Sequence, residues 1–173
     1  MPEVELQLIA LTGDQQRRAL DDGEVDAALV RLPIDNTDLH VIALYDEVPV
    51  VVCSADSHLT AADELHPTDL VGEVVITPAD DVLQASVPGA VAPVFSAPAT
   101  TEEAIATVAT GVGVVIVPMS LARLHRRKDV AHRALVGAPA STVALAWPAS
   151  QPHPLTDTFV GIVRGRTANS SRG

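Results

Sequence analysis

Short, continuous runs of valine and isoleucine are the feature that most restricts how this chain can fold. Val114–Val117 (VVIV) lies between a glycine and Pro118, and a similar run occupies Val48–Cys53 (VPVVVC). Each run is bounded by turn residues and predicts a strand. Val114–Val117 is expected to be buried, whereas Pro49 marks the other strand as an edge, a strand start or a crossing point. Only 2% of the residues are aromatic, so aliphatic side chains must build the core. This combination predicts an α/β layered fold.

A strong helix start comes before the predicted strand Val114–Val117. In Thr100–Thr110 (TTEEAIATVAT), Thr100 supplies a hydroxyl cap, and Glu102 and Glu103 place acids in the first turn. Glu103 follows Thr100 at the spacing of a capping box. We therefore predict a helix over this segment, closed by Gly111.

The N-terminal third predicts a β-α-β unit. Val4–Leu11 alternates and then becomes continuously apolar, which indicates a strand entering a buried sheet. A helix capped around Asp14 is expected to end near Asp22, and Asp26–Val30 reads as a second strand. Such a unit implies parallel strands with a right-handed crossover.

The remaining elements follow from the same patterns. The predicted strands are Leu39–Leu44, Val74–Thr77, Val130–Val136 and Thr142–Trp147; the predicted helices run from Ser120 to about Arg127 and from about Leu155 to Arg164. Thr167–Gly173 is predicted to be disordered.

The charge of the chain argues against a nucleic-acid-binding surface. Its formal net charge is −11, whereas duplex binding requires basic residues that neutralise phosphates. Basic residues concentrate in Arg123–Arg133 and Arg164–Arg172 without interleaved aromatics, which is typical of a solvated helix face and a frayed tail. We expect no direct nucleic-acid contact by this chain.

Location and redox chemistry are also bounded by composition. The single cysteine, Cys53, excludes an internal disulfide and a multi-cysteine zinc site, and its apolar neighbours favour a structural role. The chain opens with acids, and its longest apolar run is far shorter than the ~20 residues of a membrane span. We therefore predict a cytoplasmic protein without a membrane partner.

The sequence carries no convincing catalytic arrangement. It lacks a G-x-S-x-G elbow and an H-E-x-x-H helix, and its six histidines are scattered over polar segments. The glycines of GVGVV come before a strand, whereas a dinucleotide loop follows one. We predict that the chain is not an enzyme and has no catalytic residue, metal or cofactor.

Hydroxyl-bearing residues and a glycine lie instead at predicted strand ends and helix starts. They are Thr12, Gly13, Thr77, Thr100 and Thr101. Backbone N–H groups at such places bind carboxylates and other anions. Ordinary helix capping explains each of these residues, taken alone, equally well.

Taken in order, these segments resemble the effector-binding domain of LysR-type transcription regulators over essentially the whole chain. QRRALDDGEVDAALVRLP is similar to that family's helix and third strand, with the pattern L-x-x-G-x-x-D-x-x-[LIV]. LYDEVPVVVCSADSHL resembles the crossing strand and the D-x-H-x-L stretch after it. TTEEAIATVATGVGVVIVPMSLAR resembles the most specific part, a helix ending in V-x-x-G-x-G-[VI]-x-[ILV]-[LV]-P.

The resemblance implies a type II periplasmic-binding-protein-like fold, with two α/β lobes joined by two crossing strands. Residues 1–48 and 148–173 would form lobe one, and residues 49–147 would form lobe two. The winged helix-turn-helix, the linker helix and the first strand and helix of the family's sensing domain have no counterpart in the match, so we expect the first lobe to be incomplete.

The resemblance also implies a small-molecule effector, bound in a cleft between the lobes, whose class we expect to be a carboxylate. The expected contacts are Thr12, Gly13, Arg31 and Pro33 from lobe one and Thr77, Thr100 and Thr101 from lobe two. Arg31 can offer a bidentate fork to a carboxylate, although a surface arginine in a turn is the simpler interpretation. The alternative function is a stand-alone small-molecule-binding or protein-interaction module without DNA-binding activity.

A homo-oligomer, most simply a dimer, is expected from the incomplete lobe. Without the family's first strand, Val4–Leu11 would form an open position or a bare edge. Part of an apolar face made by Leu6, Leu8, Ala28 and Val30 would then need cover.

Overall fold

A computed structural model describes residues 4–170 of the chain, with side chains placed for residues 4–165. In chain order the elements are α1 (Gln15–Asp21), β1 (Ala28–Arg31), β2 (Leu39–Glu47), β3 (Pro49–Ser54), β4 (Glu64–Leu65), β5 (Val75–Ile76), α2 (Thr101–Val108), β6 (Val114–Pro118), α3 (Met119–Leu124), β7 (Val130–Leu135), β8 (Ser141–Pro148) and α4 (Thr156–Ser170). Short 3-10 turns at His58–Ala61 and Pro67–Leu70 flank β4.

The chain divides into two compact units, each with its own sheet. The first unit comprises residues 1–45 and 142–173, and the second comprises residues 46–141. The chain passes between the units within β2 and at the start of β8, so the unit limits lie at residues 45 and 142, whereas the expected lobe limits were 48 and 148. The sheet of the first unit has the order β1-β8-β2, and that of the second has the order β4-β7-β3-β6-β5.

The central strand of the second unit is buried on both of its faces. β3 pairs antiparallel with β6 on one side and with β7 on the other. Val50 and Val52 pack into the core on the α2 side, while Val51 and Cys53 pack into a separate core on the opposite side. All four side chains are buried, and Pro49 is the first residue of this central strand, which agrees with the strand start among the roles that its sequence left open.

Helix α2 covers one face of this sheet, as its sequence predicts. Ala104, Ile105 and Val108 are buried against the β3–β6 core. Thr100 is the N-cap, and its hydroxyl oxygen accepts a hydrogen bond from the N–H of Glu103 at 3.2 Å. The Glu103 carboxylate accepts from the N–H of Ala99 at 2.9 Å, one residue earlier than in a capping box.

The first unit buries the sheet face that we expected to be exposed. Ala28 and Val30 are buried with Leu20 of α1 and with Ala144 and Ala146 of β8. The prediction that Ala28 and Val30 form an exposed patch is therefore wrong, because α1 covers that side of the sheet. Leu29 points to the opposite face and is 59% exposed.

The predicted strand at Val4–Leu11 is also wrong. No strand is formed there, and Leu6 and Leu8 are 64% and 85% exposed. Alternating apolar residues would lie on one face of an extended segment, but a strand also requires a hydrogen-bonded neighbour. This segment has no such neighbour among the described residues. The expected parallel β-α-β pairing is absent for the same reason: β1 pairs antiparallel with β8, with Ala28 opposite Ala146.

Two helix ends differ from their predictions. α3 stops at Leu124, three residues before Arg127, because His125 leaves the helical region with φ −99° and ψ 38°. α4 continues through Ser170, so disorder at residues 167–170 is not observed; polar composition alone does not end a helix that no proline interrupts. Residues 171–173 of that predicted tail, like residues 1–3, lie outside the described part of the chain.

Gly113 permits a close approach between β5 and β6. Its φ is +76°, and a Cβ at this position would overlap the carbonyl oxygen of Val74. That same carbonyl accepts the N–H of Val114 at 2.8 Å, so the approach belongs to the pairing of the two strands. Gly111 also has a positive φ, +87°, but a Cβ there would meet open space.

These two glycines form a matched pair for substitution. We predict that Gly111→Ala lowers the free energy of unfolding by about 1 kcal/mol, the cost of a left-handed backbone for alanine. Gly113→Ala should lower it by about 3 kcal/mol or more, because the steric overlap adds to that cost. Urea denaturation followed by circular dichroism measures both values. A Gly113→Ala variant as stable as Gly111→Ala would contradict this packing.

Candidate functional site

The candidate residues of the second unit gather at the start of α2. Thr101 is only 3% exposed, and its hydroxyl donates to Oδ1 of Asp80 at 2.9 Å. Thr100 caps the helix through the N–H of Glu103. The sequence analysis did not assign Asp80 to the site, although it lies in a polar turn directly after a predicted strand. The first turn of α2 is therefore tied to a carboxylate 21 residues earlier in the chain.

Thr77 belongs to the same region through its loop. It is exposed and directly follows β5. Two residues later, the N–H of Ala79 donates to the carbonyl of Pro98 at 2.9 Å. Together with the contact between Asp80 and Thr101, this bond holds the turn after β5 against the segment that enters α2. The structure thus brings the loop of Thr77 to the start of the helix that carries Thr100 and Thr101.

The hydrogen bonds at the start of α2 leave two donors open. The N–H groups of Thr101 and Glu102 belong to the first turn, where no intrahelical acceptor exists, and neither has an acceptor in the described part of the chain. The Glu103 carboxylate is held by the N–H of Ala99, and Asp80 by Thr101. Such a helix start can bind an oxygen acceptor of a ligand, with adjacent N–H donors and the positive end of the helix dipole.

The candidates in the first unit form two separate pairs along the chain. Thr12 and Gly13 are exposed at the start of α1, where the Thr12 hydroxyl donates to Oδ1 of Asp14 at 2.5 Å. This hydrogen bond lowers the pKa of the Asp14 carboxyl. Arg31 is half-buried at the end of β1, and Pro33 is exposed two residues later.

Metal ligands, membrane-spanning helices and the cysteine thiol are the other features to consider. Within residues 4–170 no group of three or more histidine, cysteine or acidic side chains could hold a metal ion. No helix in that range is long and apolar enough to cross a membrane. Cys53 is buried in β3, and burial raises the pKa of its thiol, as befits a side chain that packs in the core.

Comparison with known proteins decides the family. Residues 1–168 match the profile of the LysR substrate binding domain. The chain belongs to this family. This LysR domain is 26% identical to the Hca operon transcriptional activator HcaR of Escherichia coli (strain K12) over 97% of its own length. It is 34% identical to the HTH-type transcriptional regulator CatR of Pseudomonas putida over 72% of its length. It spans 60% of HcaR and 46% of CatR.

Solved structures support the fold of the LysR domain. The effector binding domain of BenM, solved with its effector benzoate, superposes with a TM-score of 0.80 at 18% identity, over 99% of this chain and 82% of that one. This likeness confirms the type II periplasmic-binding-protein-like fold that the sequence resemblance implies.

Proposed function

We propose that this LysR domain senses a small-molecule effector whose oxygen acceptor binds at the first turn of α2. The observation that carries the proposal is the bond from the buried Thr101 hydroxyl to Asp80, which holds the turn beside two N–H donors that have no acceptor among the described residues. A rigid first turn keeps both donors pointing in a fixed direction. Preorganised donors of this kind favour a ligand over water, because little entropy is lost when it binds.

A carboxylate is the ligand class that best fits these donors. Each of its oxygens can accept an N–H, and the helix dipole adds a favourable interaction with its charge. BenM, whose fold this domain shares, is solved with the carboxylate benzoate as effector. In the first unit, Thr12, Gly13, Arg31 and Pro33 are proposed as further contacts, with the Arg31 guanidinium facing the carboxylate.

The proposed role is to convert ligand binding into a change of state in a transcription regulator. An effector shifts a two-state equilibrium only by its differential affinity for the two states, typically ~1–3 kcal/mol. With a net charge of −11, this chain is a poor partner for phosphates, so we propose that residues outside it contact the DNA. We also propose that the regulator acts in the cytoplasm.

Substitution of Thr101 tests the proposed site. Thr101→Val keeps the shape of the side chain but removes the bond to Asp80, so the first turn should lose its fixed geometry. We predict that the variant binds carboxylates at least about tenfold more weakly than the native chain. Isothermal titration with benzoate and a panel of aromatic and aliphatic carboxylates measures the affinity.

Thr107→Val is the matched control, because among the described residues the Thr107 hydroxyl bonds only to the carbonyl of Glu103 within the same helix. It should bind like the native chain. Unchanged affinity in Thr101→Val, or no binding of any carboxylate to the native chain at millimolar concentration, would reject the site.

We also propose that the domain works as a homodimer. Leu6, Leu8 and Ile9 are exposed in a segment that pairs with no strand in the described part of the chain. Leu29 is exposed on β1, which is an edge of its sheet as described. Apolar surface beside an unpaired strand edge favours association with a second chain. A symmetric dimer is the simplest assembly that covers both features.

Sedimentation velocity at micromolar concentration tests the dimer. The native chain is predicted to sediment as a dimer, and Leu6→Ser/Leu8→Ser should shift it toward the monomer by removing apolar contact area. Val71→Ser/Leu124→Ser removes similarly exposed apolar side chains elsewhere and should remain dimeric. A native chain that stays an 18.0 kDa monomer at every concentration would exclude the assembly.

A further inference from the structure

The second unit contains a cavity with a cationic rim and an apolar floor. Its volume is about 690 Å³, within the range of ~300–1,000 Å³ that is usual for small-molecule pockets. Its floor is the core on the α2 side of the sheet, where Val52, Ile105 and Ala122 are buried. Val130 packs against that core and is the half-buried aliphatic side chain of the floor. The rim is the basic segment between α3 and β7, which the sequence analysis interpreted as a solvated face.

The basic residues around this cavity differ in what they already bind. Arg127 is paired with Asp129 through two hydrogen bonds of 2.8 and 2.7 Å, which neutralises its charge. Arg133 donates to the carbonyls of Thr60 and Ala62 at 2.7 and 2.6 Å, so its guanidinium is held elsewhere.

Arg126 and Lys128 remain as cations for a ligand. Both are exposed, and neither has a hydrogen-bond or ion-pair partner in the described part of the chain. His132 lies opposite Val52 in the β3–β7 register, which places its exposed imidazole on the cavity side of the sheet. Two unpaired cations and an imidazole therefore stand beside aliphatic side chains, on a chain whose net charge is −11.

We propose that this cavity is a second ligand site, separate from the start of α2, for an organic anion with an apolar body. Its carboxylate would lie between Arg126 and Lys128, where charge-assisted hydrogen bonds form, and its hydrocarbon part would pack against the half-buried Val130, over the core that holds Val52. An anion without an apolar body would contact only the basic residues of the rim, and a neutral apolar molecule would contact only the floor. Each should therefore bind more weakly than an anion with an apolar body.

2-Naphthoate is the probe, because it joins one carboxylate to two apolar rings, and naphthalene-2-carboxamide is its uncharged counterpart. We expect saturable binding of 2-naphthoate to the full chain, with amide shifts at residues 126–132 in 15N–1H spectra. Naphthalene-2-carboxamide should bind at least about tenfold more weakly than 2-naphthoate. Arg126→Gln/Lys128→Gln should weaken the 2-naphthoate binding that the shifts at residues 126–132 report by a similar factor.

The control variant Arg18→Gln/Arg123→Gln removes the same charge from exposed positions that do not line the cavity. It should bind 2-naphthoate like the native chain. Equal affinity of the two double variants, or shifts confined to residues 100–103, would overturn the proposal. Thr101→Val should leave the shifts at residues 126–132 intact, so this site and the α2 site can fail independently.

Discussion

The burial of β3 and β6 on both faces is the constraint on which the second unit depends. The two strands pair antiparallel from Pro49 opposite Pro118 to Val52 opposite Val115, and their side chains fill two separate cores. A strand buried in this way cannot carry an unsatisfied polar side chain without a large desolvation cost. Polar side chains that can bind a ligand therefore lie at the ends of the strands and in the loops that follow them.

Both proposed ligand sites obey this constraint. The start of α2 receives the loop that follows β5, through the contact of Asp80 with Thr101. The cationic cavity lies where β7 begins, with Val52 of β3 in its floor. In each case the apolar core supplies a rigid support, and the loops supply donors or cations. Clefts that combine an apolar lining with a few polar groups are the usual form of small-molecule sites.

Much of the second unit could be predicted because its signals are local. The valine runs and the Thr100 cap act within a few residues, and the structure shows both strands and the helix where these patterns occur. The sequence could not show that Val4–Leu11 forms no strand, because a strand depends on a hydrogen-bonded neighbour that the apolar pattern does not contain. The bond between Asp80 and Thr101 joins residues 21 positions apart, and only the polar turn after β5 hinted at it. The remaining site residues, including Arg31 and Pro33, stay predictions.

Native-state hydrogen exchange is the most direct measurement of the central claim, that the doubly buried β3–β6 pair is the support on which the unit is built. The amides of Val50–Val52 and Val115–Val117 are predicted to exchange most slowly, by global unfolding of the unit, while those of the edge strand β1 exchange faster by local opening. If the β3 and β6 amides exchange as fast as those of Ala28–Arg31, the pair is not the support and the account is wrong.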